Sequence, residues 1–321
     1  MFESRVDLDK LRDSVTQIKL EIEKVVVGQP EMVELLITAI LTDGHVLIEG
    51  VPGVAKTLTA KLMSKIISID FARIQFTPDL MPSDVLGTSI FNQKTAEFEF
   101  KKAPIFSNFI LIDEINRAPA KTQAALFEVM EERQITFDGI TYQMEPPFLV
   151  LATQNPIEQE GTYRLPEAQL DRFLFKIEVG YPSLDEETTI LNKAIERKAI
   201  PQLEGVEPIL SRELIQTFRE QVKEIHIEPE LVKYIAEIVS QTRQHNALFL
   251  GASPRASLAV LNSARAFAAM QGRDFVQPDD IKKVTYAVLR HRIILTPEKE
   301  MEGLSIDEVI KRIIQSVEVP R

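Results

Sequence analysis

The sequence predicts an α/β fold: a mostly parallel five-stranded sheet flanked by helices, joined to a second, smaller, all-helical domain. Three observations predict it. Short apolar runs alternate with helical stretches up to about residue 180. A Gly/Pro-rich turn at residues 50–57 stands between one of those runs and a helix. Beyond Tyr181-Pro182-Ser183 strand signals fade and helical periodicity takes over. A chain of 321 residues has room for both domains, expected at 1–182 and 183–321.

The elements follow in order. Leu8, Leu11, Val15, Ile18 and Ile22 recur at helical spacing over residues 7–25. Val26-Val27-Gly28-Gln29-Pro30 interrupts, and Met32, Leu35, Leu36, Ala39 and Ile40 mark a second helix. His45-Val46-Leu47-Ile48 is the first buried strand; Phe71–Phe76, Phe109–Ile112, Phe148–Ala152 and Phe173–Val179 are the other four. Two hairpins interrupt the rhythm. Residues 133–147 alternate apolar and polar side chains around Asp138-Gly139. In residues 87–104, Ile90-Phe91 and Glu97–Phe100 flank a polar turn. The second domain carries a stripe of Leu231, Ile235, Ile238 and Val239, and another of Leu258, Leu261, Ala264, Ala268 and Ala269. Ser305 and Glu308 form a capping box before a last helix. There is no internal repeat and no low-complexity tract.

Composition excludes several chemistries. The chain has no cysteine, so disulfides, thiolate zinc sites and cysteine nucleophiles are ruled out. His45, His226, His245 and His291 are too scattered for a His-rich metal site. Lys plus Arg number 37 against 48 Asp plus Glu, a net charge of −11, which opposes a broad DNA-coating face. No run reaches the roughly 18 apolar residues of a membrane span. The first ten residues carry Glu3, Arg5, Asp7 and Asp9, unlike a signal peptide. A cytoplasmic location is expected.

Gly50-Val51-Pro52-Gly53-Val54-Ala55-Lys56-Thr57 fits the phosphate-loop spacing, with Ala55 where the last Gly is usual. Backbone N–H groups of such a turn face anionic oxygens. Lys56 adds charge for the β and γ phosphates, and the Thr57 hydroxyl can ligate Mg²⁺. The Ala55 methyl is tolerable if that residue has helical φ. Phe109-Ile110-Leu111-Ile112 ends in Asp113-Glu114. Paired acids at the end of a buried strand point to a cation: Asp113 to hold Mg²⁺, Glu114 to orient and deprotonate the attacking water.

With these motifs the sequence resembles the AAA+ ATPases, and within them the MoxR family. Further motifs carry the resemblance: Asp113–Pro119, Ala152-Thr153-Gln154-Asn155-Pro156, Leu165–Phe173 and Gly251–Ala256. They run from about residue 25 to about 290. The resemblance implies the P-loop NTPase fold of that group with a helical lid. It makes Asn155 the sensor that helps hold the water. Arg172 becomes the finger reaching a neighbouring subunit's γ phosphate, with Arg117 and Arg164 as rivals. Arg255 becomes a second sensor touching nucleotide in cis. Nucleotide binding extends over Gly50 to Leu58, and Val27, Gly28 and Gln29 lie against adenine, with Tyr181 and Pro182 closing that pocket. The hairpins at 87–104 and 133–147 match pore-facing inserts, although packing is the favoured role for each of Phe91, Phe98 and Phe100. Arg164 departs from the family, which often carries Pro there.

The function expected is Mg²⁺-dependent ATP hydrolysis by a ring, which the resemblance implies is a hexamer, coupled to chaperone-like remodelling or maturation of a partner. The family often works with partners carrying a von Willebrand factor A domain. A nucleotide-gated scaffold with little turnover and a DNA-directed motor are the alternatives. Against the motor stand the net charge and the absence of compact basic clusters beyond Lys101-Lys102 and Arg290-His291-Arg292.

Overall fold

A computed structural model describes residues 6–51, 53–94, 96–155, 162–197 and 205–320. Pro52 and Pro156 of the motifs above lie outside the described residues. The central sheet has five strands: β1 (Val46–Gly50), β2 (Phe71–Gln75), β5 (Phe109–Asp113), β8 (Leu149–Gln154) and β9 (Phe175–Val179). Their order is β2-β5-β8-β1-β9, and every neighbouring pair is parallel. All carboxyl ends therefore share one edge of the sheet, where ligands of open α/β folds bind.

Alternation along each strand sends side chains to opposite faces. Val46 and Ile48 of β1, Leu111 of β5 and Leu151 of β8 join one core, packed by helices Asp9–Glu23, Pro30–Thr42 and Lys56–Ile67. Leu47, Ile110, Ile112 and Val150 join the other, under Leu126, Phe127 and Met130 of helix Ala120–Glu132. That helix starts near the carboxyl edge and returns, so its last turn reaches the amino edge.

The two hairpins form small antiparallel ribbons, β3 (Gly87–Asn92) with β4 (Glu97–Lys102), and β6 (Gln134–Phe137) with β7 (Ile140–Gln143). They pack on each other. Phe100 stacks on Tyr142 with ring centroids 4.7 Å apart and lies 5.0 Å from Phe137, and the Ser89 hydroxyl donates to Asp138. The packing role expected of three phenylalanines therefore holds for Phe100. Phe91 and Phe98 pack on each other, as cross-strand partners of the ribbon. Their rings meet at 5.2 Å, and they remain 49% and 71% exposed.

Among the described residues the C-terminal part is helical apart from a short ribbon, β10 (Leu248–Leu250) against β11 (Ile294–Leu295). It docks on helix Pro30–Thr42 and the amino edge of the sheet. The Arg219 side chain, buried in helix Arg212–Lys223, donates to the Ile40 carbonyl and pairs with Asp43 at 2.8 Å. Arg133 pairs with the other Asp43 oxygen at 2.8 Å. One continuous apolar core runs from the sheet into these helices.

His45, just before β1, ties this edge together. Its Nδ1 accepts the Val150 N–H at 3.0 Å, which leaves Nε2 to donate to the Met130 carbonyl at 3.1 Å. That tautomer is neutral. Burial first, and then the Arg133 charge, hold the His45 pKa down at about 4. An imidazole that must stay neutral when folded costs stability once the unfolded chain begins to protonate, below pH 6.5. The loss grows as pH falls toward 4. Urea unfolding should show about 2 kcal/mol less stability from this group at pH 5 than at pH 7. His45→Gln should flatten that component, and an unchanged pH slope in the variant would refute the assignment.

Candidate active site

Four elements converge at the carboxyl edge. β1 delivers the loop at 50–57, β5 delivers Asp113 and Glu114, β8 delivers Asn155, and β2 delivers Gln75. Gly50 approaches β9 so closely that a Cβ there would lie 2.6 Å from the Val179 carbonyl oxygen. Gly53 has φ +86 with open space where a Cβ would point, so the crown of the loop is bare backbone. Val54 is buried, and Val51 and Leu58 pack against the core. Those three anchor the loop and leave its main-chain N–H groups as the donors that could meet a phosphate. Ala55 differs from expectation. Its φ is +60, left-handed rather than helical, so the methyl sits in a conformation that favours Gly. It immediately precedes helix Lys56–Ile67, whose N-terminus faces the site.

Lys56 donates to the Gly50 carbonyl at 2.5 Å. Burial pulls its pKa below the ordinary lysine range, while Asp113, Glu114 and Glu49 oppose that shift. Asp113 is buried; its Oδ2 accepts from Arg73 at 2.6 Å and its Oδ1 from the Thr153 hydroxyl at 3.1 Å. Thr153 in turn accepts the Glu114 N–H at 3.1 Å, fixing the two acids relative to each other. Glu114 sits at φ +58, a left-handed conformation that turns its carboxylate away from the strand line. Gln75 donates to Glu114 at 3.0 Å, and Arg117 lies 3.1 Å from the same oxygen. Asn155 is buried at the end of β8.

Val27, Gly28 and Gln29 lie beside the loop. The Gln29 amide donates to the Val54 carbonyl at 3.0 Å, and its buried Oε1 has no partner. Glu186 packs against Gly28, which brings the start of helix Leu184–Arg197 to the same corner. Tyr181, just before it, is 75% exposed.

Arg172 and Arg255 are elsewhere. Arg172 precedes β9, and Arg255 opens helix Pro254–Met270. Both meet Glu131 at the end of helix Ala120–Glu132, Arg255 at 2.7 Å and Arg172 at 3.7 Å. They share a cavity of about 300 Å³ with Asp43, Gly44 and His45. That is the amino edge. The length of β1, five residues at about 3.3 Å each, separates this cavity from the chain's own phosphate loop by some 16 Å. The expected cis contact of Arg255 with nucleotide is thereby overturned: the lid docks behind the sheet and carries Arg255 to the wrong end of it. Arg117 and Arg164 lie at the carboxyl edge, the first on Glu114 and the second exposed and paired with Glu167 at 3.2 Å.

Similarity to known proteins gives the chain a family. The family described as "ATPase family associated with various cellular activities (AAA)" matches residues 45–175, and the AAA lid domain matches 240–313. Chaperone MoxR1 of Mycobacterium tuberculosis is 44% identical over 94% of this chain and 81% of its own. The chain belongs to the MoxR family of AAA+ ATPases. A Bacillus subtilis protein, YeaC, is 48% identical over 93% of this chain and 92% of its own. A crystal structure of a putative ATPase from Cytophaga hutchinsonii superposes with a TM-score of 0.88 at 44% identity, covering 97% of this chain and 96% of that one. As a MoxR-family ATPase, the chain carries side chains that motif spacing left without a role. Arg73 and Gln75 reach the acids because Gln75 pairs with Asp113 in register. Glu131 gathers the two distant arginines.

Proposed function

We propose that the ATPase works as a head-to-tail ring that remodels or matures a protein partner, each nucleotide lying between two subunits. The observation that carries this is the opposition of the two edges. Loop, acids and Asn155 occupy the carboxyl edge; Arg172 and Arg255 occupy the amino edge. A neighbour in the same orientation brings its arginines to this chain's γ phosphate, and such repetition closes a ring.

The residues present fit the expected ligands. The bare backbone at Gly53 leaves room for phosphate, and the unpartnered Gln29 Oε1 is an acceptor of the kind adenine's amino group satisfies. Thr57 and Asp113 offer hard oxygen donors to Mg²⁺. No cluster of three or more metal-binding side chains occurs among the described residues, in keeping with a cation that takes a carboxylate plus nucleotide phosphates. Bound there, Mg²⁺ neutralises charge on the phosphates. Glu114 orients and deprotonates water, Asn155 helps hold it, and Lys56 meets the β and γ phosphates.

The chaperone-like role rests on the relative named as a chaperone. Six subunits and a partner with a von Willebrand factor A domain come with the family resemblance, while a cytoplasmic location and a domain junction near residue 182 rest on the sequence patterns alone. Among the described residues no helix is long and apolar enough to cross a membrane.

The test is dilution. Hydrolysis per chain should rise steeply with protein concentration as subunits assemble, then level off. A rate per chain that stays constant down to concentrations where light scattering finds only monomers would overturn the shared site.

A further inference from the structure

Arg172 is flanked by an unusually complete set of contacts that serve neither arginine of the amino edge directly. Arg292 is buried, 6% exposed, and directs four of its five hydrogen bonds to one segment, residues 171–174. Its Nε donates to Asp171 Oδ1 at 2.7 Å. Its Nη2 donates to the carbonyls of Asp171 at 3.1 Å and Phe173 at 2.6 Å. Its Nη1 donates to the carbonyls of Leu174 at 3.0 Å and Val288 at 2.6 Å. The main chain is thus held at 171, 173 and 174, on both sides of Arg172. The Arg172 side chain leaves in another direction, donating to the Phe127 carbonyl at 2.5 Å and approaching Glu131.

The second oxygen of Asp171 takes the Ser253 hydroxyl at 3.0 Å. Ser253 occupies the N-cap of helix Pro254–Met270, where a serine ordinarily accepts from its own helix. Here it makes no such cap and turns to Asp171 instead. Arg255 follows two residues later. A single carboxylate therefore joins the segment bearing Arg172 to the helix bearing Arg255, across the boundary between sheet and lid. Both arginines then converge on Glu131.

We propose that Asp171, Arg292 and Ser253 are positioning residues that hold Arg172 and Arg255 as one rigid pair for the nucleotide of the neighbouring subunit. This rests on the shared-site reading above. A small displacement of a charged group from its place in the transition state is costly in rate even when the fold is intact. The three residues act only through the arginines, so their loss should damage the site next door and spare their own.

Mixed rings separate these possibilities. Asp171→Asn should lower turnover by about 10²-fold and Ser253→Ala by about tenfold, each with ATP binding unchanged. Glu114→Gln chains are inactive in their own sites but carry intact arginines. Mixed in equal amounts with either variant, random assembly makes about a quarter of the interfaces complete and should restore about a quarter of wild-type hydrolysis. Arg172→Ala mixed with Glu114→Gln is the reference. If that reference mixture stays inactive, the shared site itself is wrong. If it recovers while the Asp171→Asn and Ser253→Ala mixtures do not, or if those variants hydrolyse ATP normally on their own, the positioning role is wrong. Should Asp171→Asn fail to fold, Ser253→Ala, which loses one surface-proximal hydroxyl contact, decides alone.

Discussion

Glu114→Gln is expected to lower ATP turnover by about 10²–10⁴-fold while leaving ATP affinity within about twofold, the signature of losing a base and keeping a binding site. The geometry makes the substitution selective. In the proposed mechanism phosphate binding falls to the loop backbone and Lys56, and the cation to Asp113, whose oxygens are fixed by Arg73 and Thr153 rather than by Glu114. The Glu114 N–H bond to Thr153 is main-chain and survives the change. A glutamine keeps an oxygen to accept from Gln75, so its position is preserved. What disappears is the negative charge and the proton acceptor. Steady-state phosphate release together with equilibrium binding of a fluorescent ATP analogue measures both halves. Turnover near wild type would remove Glu114 from the mechanism. Weak binding with weak turnover would assign it to the ground state instead.

The sequence makes the centre of this site legible because its chemistry demands residues at fixed spacing. A phosphate cradle needs its glycine, lysine and hydroxyl within eight positions, and Gly50–Thr57 supplies them. Buried parallel strands show as apolar runs, which is why all five strands of the sheet are visible. Contacts that depend on strand order are not. Gln75 and Arg73 lie some forty residues before the acids and reach them only because β2 pairs with β5 in register. Arg255 illustrates the same limit at larger scale. Its motif identifies the helix, but only the docking of the lid on helix Pro30–Thr42 decides which edge of the sheet it faces. Ala55 fails for a local reason: composition cannot distinguish a right-handed from a left-handed residue before a helix. The ribbon of β10 and β11, three and two residues long, is too short to leave a period in the chain.

Arg172→Ala should reduce turnover by about 10³-fold or more, the range found when an arginine that meets developing phosphoryl charge is removed. That factor corresponds to about 4 kcal/mol of transition-state stabilisation. Affinity for ATP should change little, since the chain's own loop lies at the far edge of the sheet. Arg172→Lys should rescue poorly, because an ammonium cannot reproduce a planar fork of donors. The rivals predict different patterns. Arg164 is 83% exposed at its side chain and bonds only a neighbouring turn through Glu167, so Arg164→Ala should stay within about tenfold of wild type. Arg117 touches Glu114 in the same chain, so its replacement should perturb the chain's own base. The rates must be compared at protein concentrations well above assembly, or weakened association will mimic lost catalysis. Under those conditions, normal hydrolysis by Arg172→Ala with loss in Arg164→Ala would move the finger to the carboxyl edge. The amino-edge cluster around Glu131 would then be a structural ion pair. Loss in Arg172→Ala with an unaltered oligomer and intact ATP binding leaves one arrangement that satisfies all three measurements: the arginine acts on a nucleotide held by another copy of the chain.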